Sequence, residues 1–195
     1  MSDPVNGVND KRGESVGDPR MTRVRQLIRN VPDFPKPGIL FKDITPLIAS
    51  PLGLQVVIDS LAENFLTKRI DAVVGIESRG FIFGGALAVR LNAAFIPVRK
   101  PGKLPAAVDK VAYSLEYGSA ELELHKDSLW PGARVVIVDD LLATGGTAAA
   151  AAELARKQRA EVVAFAFVIE LAFLNGRAKL GRTPVVSLMS FDAGE

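Results

Sequence analysis

The sequence predicts an α/β fold, a mainly parallel β-sheet flanked by helices on both faces. Short apolar runs, Ala72-Val73-Val74-Gly75-Ile76 and Val135-Val136-Ile137-Val138 among them, alternate along the chain with stretches of helical character. Within each run the apolar residues are continuous. A sheet with one solvated face would alternate apolar and polar residues, so both faces must be covered. At 195 residues with no internal repeat, the chain has the length of one domain, which buries roughly 70% of its unfolded surface without a staple.

The elements follow in order. Residues 1–20 carry Gly7, Gly13, Gly17, Pro4 and Pro19 among Ser, Asn and Asp. They bury too little to offset ordering entropy and read as a flexible tail. The rest, 21–195, reads as a single domain. A short helix is expected over Thr22–Arg29, then an extended stretch where Pro32, Pro35 and Pro37 exclude regular helix. Ser50-Pro51 is an N-cap followed by proline at the first helical position, opening a helix to about Thr67. Strand 72–76, helix 80–91 and strand 94–98 come next. Val111–Glu116 and Ala120–Leu124 flank Tyr117-Gly118-Ser119 as a hairpin. Strand 134–138, an alanine-rich helix 146–157, strand 161–169 and strand 185–188 complete the chain. Ligands of such sheets bind beyond the carboxyl ends of the strands.

Composition narrows the chemistry. Cysteine is absent, so disulfides, thiolate nucleophiles and Cys-ligated metals are excluded. The longest apolar run, Val162–Ile169, is far short of the ~20 residues of a membrane span. Met1–Pro19 has no apolar core of a secretory signal, and a cytoplasmic location is expected. A net charge of +2 with a pI near 9.0 is too mild for a nucleic-acid partner. Charge is concentrated locally, in Arg99, Lys100 and Lys103, as a small site for a phosphorylated ligand requires.

The most informative stretch is Val135-Val136-Ile137-Val138-Asp139-Asp140-Leu141-Leu142-Ala143-Thr144-Gly145-Gly146-Thr147, running into Ala148–Ala152. An apolar strand leads to two carboxylates, and a loop with two glycines opens a helix. Gly145 and Gly146 allow a tight turn and close ligand approach. The N–H groups of Ala143 to Thr147, the Thr144 and Thr147 hydroxyls and the positive helix end make a phosphate cradle. Asp139 and Asp140 are acceptors for vicinal hydroxyls, so one sugar phosphate satisfies both halves. Paired acids also mark metal-binding receiver domains, and glycine-rich turns mark dinucleotide folds. The chain, however, lacks both the GxGxxG and GxxxxGK[ST] patterns.

This stretch resembles the phosphoribosyl-diphosphate-binding motif of the type I phosphoribosyltransferases. Over residues 22–190 the chain is similar to the members that act on adenine. The matching segments are Pro32-Asp33-Phe34-Pro35 with Pro37-Gly38-Ile39-Leu40-Phe41-Lys42-Asp43-Ile44, Glu77-Ser78-Arg79-Gly80-Phe81, Arg99-Lys100-Pro101-Gly102-Lys103-Leu104-Pro105, and Tyr113-Ser114-Leu115-Glu116-Tyr117-Gly118. The resemblance implies a small N-terminal hood at about 21–45 and a flexible β-hairpin catalytic loop at about 99–118 over the site.

It also implies roles. Glu116 would approach N7 of adenine and manage the purine proton as N9 attacks the ribose, acid–base work suited to a carboxylate. Arg79, Arg99, Lys100 and Lys103 would hold the departing pyrophosphate, pre-placed cations being the best answer to charge developing on a leaving oxygen. Arg79 would lie beside a cis Glu77–Ser78 bond. Adenine would sit near Leu40, Phe41 and Leu171, with Phe41 stacking on the ring. Lys42 stands where many relatives carry arginine, which keeps the charge but loses the bidentate geometry. Magnesium would be bound mainly through substrate diphosphate, with no dedicated protein cage. A homodimer and the partners adenine and phosphoribosyl diphosphate are implied, with neither nucleic acid nor membrane. His125 and Trp130 receive no role.

Two other readings fit parts of the pattern. One is a transferase for another purine base, which would need a donor for a ring oxygen; no lysine lies beside Glu170-Leu171-Ala172 to supply it. The other is a non-catalytic phosphoribosyl-diphosphate-sensing regulator, for which some twenty residues before the first helix are too few to form a helix-turn-helix unit.

Overall fold

The structure, a computed structural model, describes residues 19–114 and 119–195. Helix α1 spans Pro19–Gln26, strand β1 Arg29–Pro32 and strand β2 Leu40–Asp43. Next come α2 (Thr45–Ile48), α3 (Pro51–Glu63), β3 (Ala72–Ile76), α4 (Gly80–Leu91) and β4 (Ala94–Val98). The hairpin strands are β5 (Val108–Ser114) and β6 (Ser119–His125). The chain closes with β7 (Arg134–Leu142), α5 (Gly146–Lys157), β8 (Glu161–Leu171), two 3-10 turns at Ala172–Leu174 and Gly176–Leu180, and β9 (Val185–Phe191).

Five strands form the central sheet in the order β4-β3-β7-β8-β9, and every neighbouring pair is parallel. Alternate residues of one strand feed opposite cores. Val136 and Val138 of β7 pack with Leu61 and Phe65 of the α3 region and Phe83 of α4. Val135 and Ile137 pack with Ala151 and Leu154 of α5 and with Leu122 and Leu124 of the hairpin. This double burial is why the runs read as continuously apolar. Pro97, which has no N–H for a ladder, lies in β4 at the sheet edge, where that loss is tolerated.

Caps set several boundaries. The Ser50 hydroxyl accepts the Gly53 N–H at 3.1 Å with Pro51 in the first turn, and α4 ends on left-handed Asn92, φ 52°. Other boundaries differ from the sequence expectation. Pro19 and Arg20, assigned to the tail, begin α1, and Arg29 leaves the expected helix for β1, where it pairs with Asp43 of β2. Helix α3 stops at Glu63 instead of Thr67, with the Asn64 side chain donating to Ser60 O at 2.8 Å. The hairpin strands begin earlier than expected, at Val108 and Ser119, the expected end of the first at Glu116 lying outside the described residues, and α2 and both 3-10 turns were not anticipated. Strand β7 continues through both aspartates to Leu142 along β8, whereas its pairing with β3 ends at Val138. The carboxylates therefore lie where β3 stops, not beyond the end of β7.

The two-stranded sheets β1-β2 and β5-β6 stand apart from the central one, as a hood and a hairpin. Consecutive β3 and β4 lie to one side and β7, β8 and β9 to the other, so strand order reverses between β3 and β7. That switch point is where the ligand crevice of an open parallel sheet forms.

Candidate functional site: the crevice between β3 and β7

The glycine loop after β7 is shaped by backbone contact. Gly145 is left-handed, φ 79°, and caps α5. A Cβ on Gly145 would collide with the carbonyl oxygen of Gly176, and a Cβ on Gly176 with the carbonyl oxygen of Ala143. The loop thus lies directly on the backbone of the 3-10 segment and leads into the α5 N-terminus, a helix end that favours anions. Thr147 donates its hydroxyl to Tyr113 Oη at 3.4 Å, tying the start of α5 to β5.

The aspartates are close-packed against α4. A Cβ on Gly80 would lie 2.9 Å from Asp139 Oδ1, and that same oxygen accepts the Asp140 N–H at 2.8 Å. Burial pushes the Asp139 carboxyl well above its ordinary range, and the neighbouring Asp140 charge pushes it further. Burial raises Asp140 as well, with the Arg79 guanidinium opposing it. Arg79 Nε lies 3.0 Å from Asp140 Oδ2. The guanidinium is also 5.5 Å from the Phe41 ring centroid, and Phe34 meets Phe41 edge-on at 5.1 Å. Phe41, Arg79 and Asp140 therefore form one chain of contacts from hood to sheet.

The cations gather around Glu77, one residue past β3. The Glu77–Ser78 bond is cis, as the resemblance implied. Arg99 Nε donates to Glu77 Oε2 at 3.2 Å and the Lys100 N–H to the same oxygen at 3.1 Å. Lys103 Nζ reaches Glu77 Oε1 at 2.5 Å. Burial alone would raise this carboxyl, but hydrogen bonds from Lys103, the Lys100 N–H and Arg99 outweigh it and hold Glu77 at about 2. Glu123 fastens the same segment from β6. Its backbone exchanges hydrogen bonds with Arg99 at 3.0 and 2.7 Å, and its Oε2 accepts the Gly102 N–H at 3.0 Å.

On the hood side, Leu40 and Phe41 occupy β2. Lys42, on the opposite face of the strand from Phe41, donates to Asn30 Oδ1 at 2.8 Å and to the Glu195 carbonyl, with Nζ 4.3 Å over the Phe191 ring. Leu171 ends β8 in register with Phe191. Next to it Glu170 accepts Arg177 through both oxygens at 2.6 Å, and Arg177 also donates to Val185 O at 3.1 Å. This clasp holds the 3-10 segment under the glycine loop.

The phosphoribosyl transferase domain family matches residues 45–187. An adenine phosphoribosyltransferase of Sorangium cellulosum (strain So ce56) is 62% identical over 200 aligned positions, covering 100% of both chains. The chain belongs to the adenine phosphoribosyltransferase family. The solved enzyme of that name from Thermoanaerobacter pseudethanolicus is 47% identical, covers 88% of this chain and 99% of its own, and superposes with a TM-score of 0.86. The Saccharomyces cerevisiae enzyme, solved with an imino-altritol bisphosphate and adenine, is 44% identical over 87% of this chain and 98% of its own, with a TM-score of 0.83.

Several of the residues expected in a phosphoribosyltransferase site are in contact with one another. Asp140 pairs with Arg79, and Arg99, Lys103 and the Lys100 backbone N–H meet Glu77. Phe41 reaches Arg79; Leu171 is in register with Phe191, whose ring lies under Lys42 of the hood. Glu116 lies outside the described residues. Sequence reasoning assigned no role to Glu77, Gly176, Tyr113 or Arg177. For Glu77 a signal was available: a carboxylate one residue past a buried strand, in a chain whose cations cluster 22 to 26 positions later, calls for a pairing.

Proposed function

We propose that this protein transfers the phosphoribosyl group of phosphoribosyl diphosphate to N9 of adenine, yielding AMP and pyrophosphate. The observation that carries this reading is the glycine loop seated on Gly176 and following directly on half-buried Asp139 and buried Asp140. It offers a 5′-phosphate cradle and acceptors for ribose hydroxyls side by side. Asp139 and Asp140 take the hydroxyls, and Ala143, Thr144, Gly145, Gly146 and Thr147 take the phosphate. Arg79, Arg99, Lys100 and Lys103 receive the pyrophosphate. Leu40, Phe41 and Leu171 bound the adenine.

In the reaction, the bond from the ribose anomeric carbon to the diphosphate oxygen breaks as N9 bonds to that carbon. Pyrophosphate leaves with the electron pair, and the purine loses one proton. Glu116 is the residue for that proton, by kinship. Catalysis is otherwise placement and electrostatic stabilisation in a site that excludes water.

Among the described residues no three His, Cys, Asp or Glu side chains gather as a cage. The two aspartates are hard oxygen donors of the type magnesium accepts, so the donor chemistry fits an ion carried largely on substrate oxygens and water. Magnesium, when bound, neutralises charge on the diphosphate.

Kinship also supports a homodimer. The lack of cysteine fits a cytoplasmic location; among the described residues no helix is long and apolar enough to cross a membrane. An assay of adenine, hypoxanthine, guanine and xanthine with phosphoribosyl diphosphate and magnesium tests the reading. AMP formed from adenine is the expected result, and product from hypoxanthine alone would overturn the base assignment. Light scattering of the purified protein tests the dimer.

A further inference from the structure

The cations expected to receive pyrophosphate already hold an anion belonging to the chain. Glu77 uses both carboxylate oxygens on them, Oε1 on Lys103 and Oε2 on Arg99 and the Lys100 N–H. The Glu77 side chain is 7% exposed, while those of Arg99 and Lys103 are 32% and 46% exposed. The carboxylate thus lies at the floor, with its cations between it and solvent. The exposed sides of Arg99 and Lys103 are the ones open to an incoming anion.

We propose that Glu77 is a positioning residue that acts as an internal counter-anion, assembling Arg99, Lys103 and the Lys100 N–H in the free protein and competing with pyrophosphate for them so that the product is released. This rests on reading those three residues as the pyrophosphate site. Pyrophosphate, with more charge and more oxygens than a carboxylate, wins the exchange. Each donor it takes leaves Glu77, a buried carboxylate, with fewer partners, and that cost opposes retention. The cost is much smaller if the charge is absent.

Competition can be separated from scaffolding because the segment has a second anchor. Arg99 remains paired with the Glu123 backbone in both directions, and Gly102 remains bonded to the Glu123 carboxylate. In Glu77→Gln the amide oxygen still accepts the Lys100 N–H, so the segment keeps its place while the negative charge is lost. A merely structural role predicts weaker anion binding on substitution. Competition predicts tighter binding.

The test is titration calorimetry of inorganic pyrophosphate with magnesium chloride, on wild type and Glu77→Gln, alongside pyrophosphate inhibition of the forward reaction. Glu77→Gln is expected to bind pyrophosphate about tenfold tighter, equivalent to about 1.4 kcal/mol. Inhibition should strengthen in parallel, kcat should fall, and KM for adenine should not change. Glu77→Asp keeps the charge but withdraws it from Lys103 by one methylene, and about threefold tighter binding is expected. That variant carries the test if the glutamine form does not fold. Affinity equal to or weaker than wild type in a folded variant overturns the proposal while leaving the transferase reading intact. A wild-type protein that takes up no pyrophosphate overturns both.

Discussion

Arg79 Nε stands 3.0 Å from Asp140 Oδ2 while its guanidinium carbon lies 5.5 Å from the Phe41 ring centroid. One side chain thus touches the residue expected to hold ribose and the residue expected to stack on adenine. It is also expected to meet the leaving diphosphate. Asp140 is buried at 4% exposure, and leaving its charge without this partner is costly.

Replacing Arg79 by methionine is therefore expected to raise KM for phosphoribosyl diphosphate by about tenfold or more, a buried hydrogen-bonded charge being worth about 1.5–3 kcal/mol. It should also alter the pH profile. Burial raises Asp140 and the Arg79 charge opposes that rise, so removing the cation lifts Asp140 further. A protonated Asp140 accepts less from a ribose hydroxyl. The acid limb of kcat/KM for the donor should move to higher pH, and an unmoved limb would contradict the pairing.

Gly176 and Gly85 should respond in opposite directions to the same added methyl group. A Cβ on Gly176 meets the Ala143 carbonyl, and backbone must shift to admit it. Gly176→Ala should cost about 2 kcal/mol. It should also weaken the donor by about tenfold or more, since displacement of a site by an ångström can cost on the order of 100-fold. A Cβ on Gly85, within α4, meets nothing within 4 Å, and Gly85→Ala should gain about 1 kcal/mol from helix propensity. Thermal denaturation of both variants reads the contrast directly.

The same distinction explains how much of the molecule was legible in its sequence. The bounds of β3, α4, β4 and α5 agree with expectation, because each is settled by its own residues: the apolar runs of β3, buried throughout, and of β4, and caps at Asn92 and Gly145. Arg29 was misassigned because its fate is decided by Asp43, in a strand it meets only after the chain folds back. The glycine loop was visible as a motif, but the segment supporting it was not. Gly176 and Ala143 are 33 positions apart, and no local pattern marks their approach. Glu77 lay inside a recognised segment, yet its job depends on cations from the far side of α4 and β4. Local chemistry is written in the sequence locally; packing partners are not.

Phe41→Ala should raise KM for adenine by about tenfold and leave KM for phosphoribosyl diphosphate within about twofold, aromatic contacts being worth about 0.5–1.5 kcal/mol beyond the area they bury. Phe34 touches Phe41 edge-on at 5.1 Å but is 50% exposed, so Phe34→Ala should have a smaller effect of the same kind. Steady-state kinetics with each substrate varied in turn would detect the split. A loss confined to the donor would move Phe41 out of the base site.

The hood should lose an acid-sensitive contribution to stability when Asp43 becomes asparagine. Asp43 accepts the Thr45 N–H at 2.9 Å and Arg29 Nε at 3.0 Å. The Thr45 backbone bond, then the Arg29 side chain, hold it at about 2 against an ordinary 3.8. A folded-state value below the unfolded one stabilises above the unfolded value, and the contribution disappears as pH falls through 3.8 towards 2. Wild type should melt above Asp43→Asn at pH 6, and the gap should close by pH 2. A gap that persists at low pH would mean the contribution is steric and not ionic.

Glu116 separates chemistry from binding most sharply. If it manages the purine proton, Glu116→Ala should lower kcat by on the order of 100-fold or more, the usual scale of general acid–base catalysis. Affinity for phosphoribosyl diphosphate, measured by calorimetry without adenine, should stay within about threefold, because the groups proposed to hold the donor are the glycine loop and the cations. Glu116→Gln keeps the size and hydrogen bonding but cannot take a proton, so it should be nearly as slow as the alanine form. Full activity in the glutamine variant would show that the side chain only positions adenine, and the proton would then have to leave by another group.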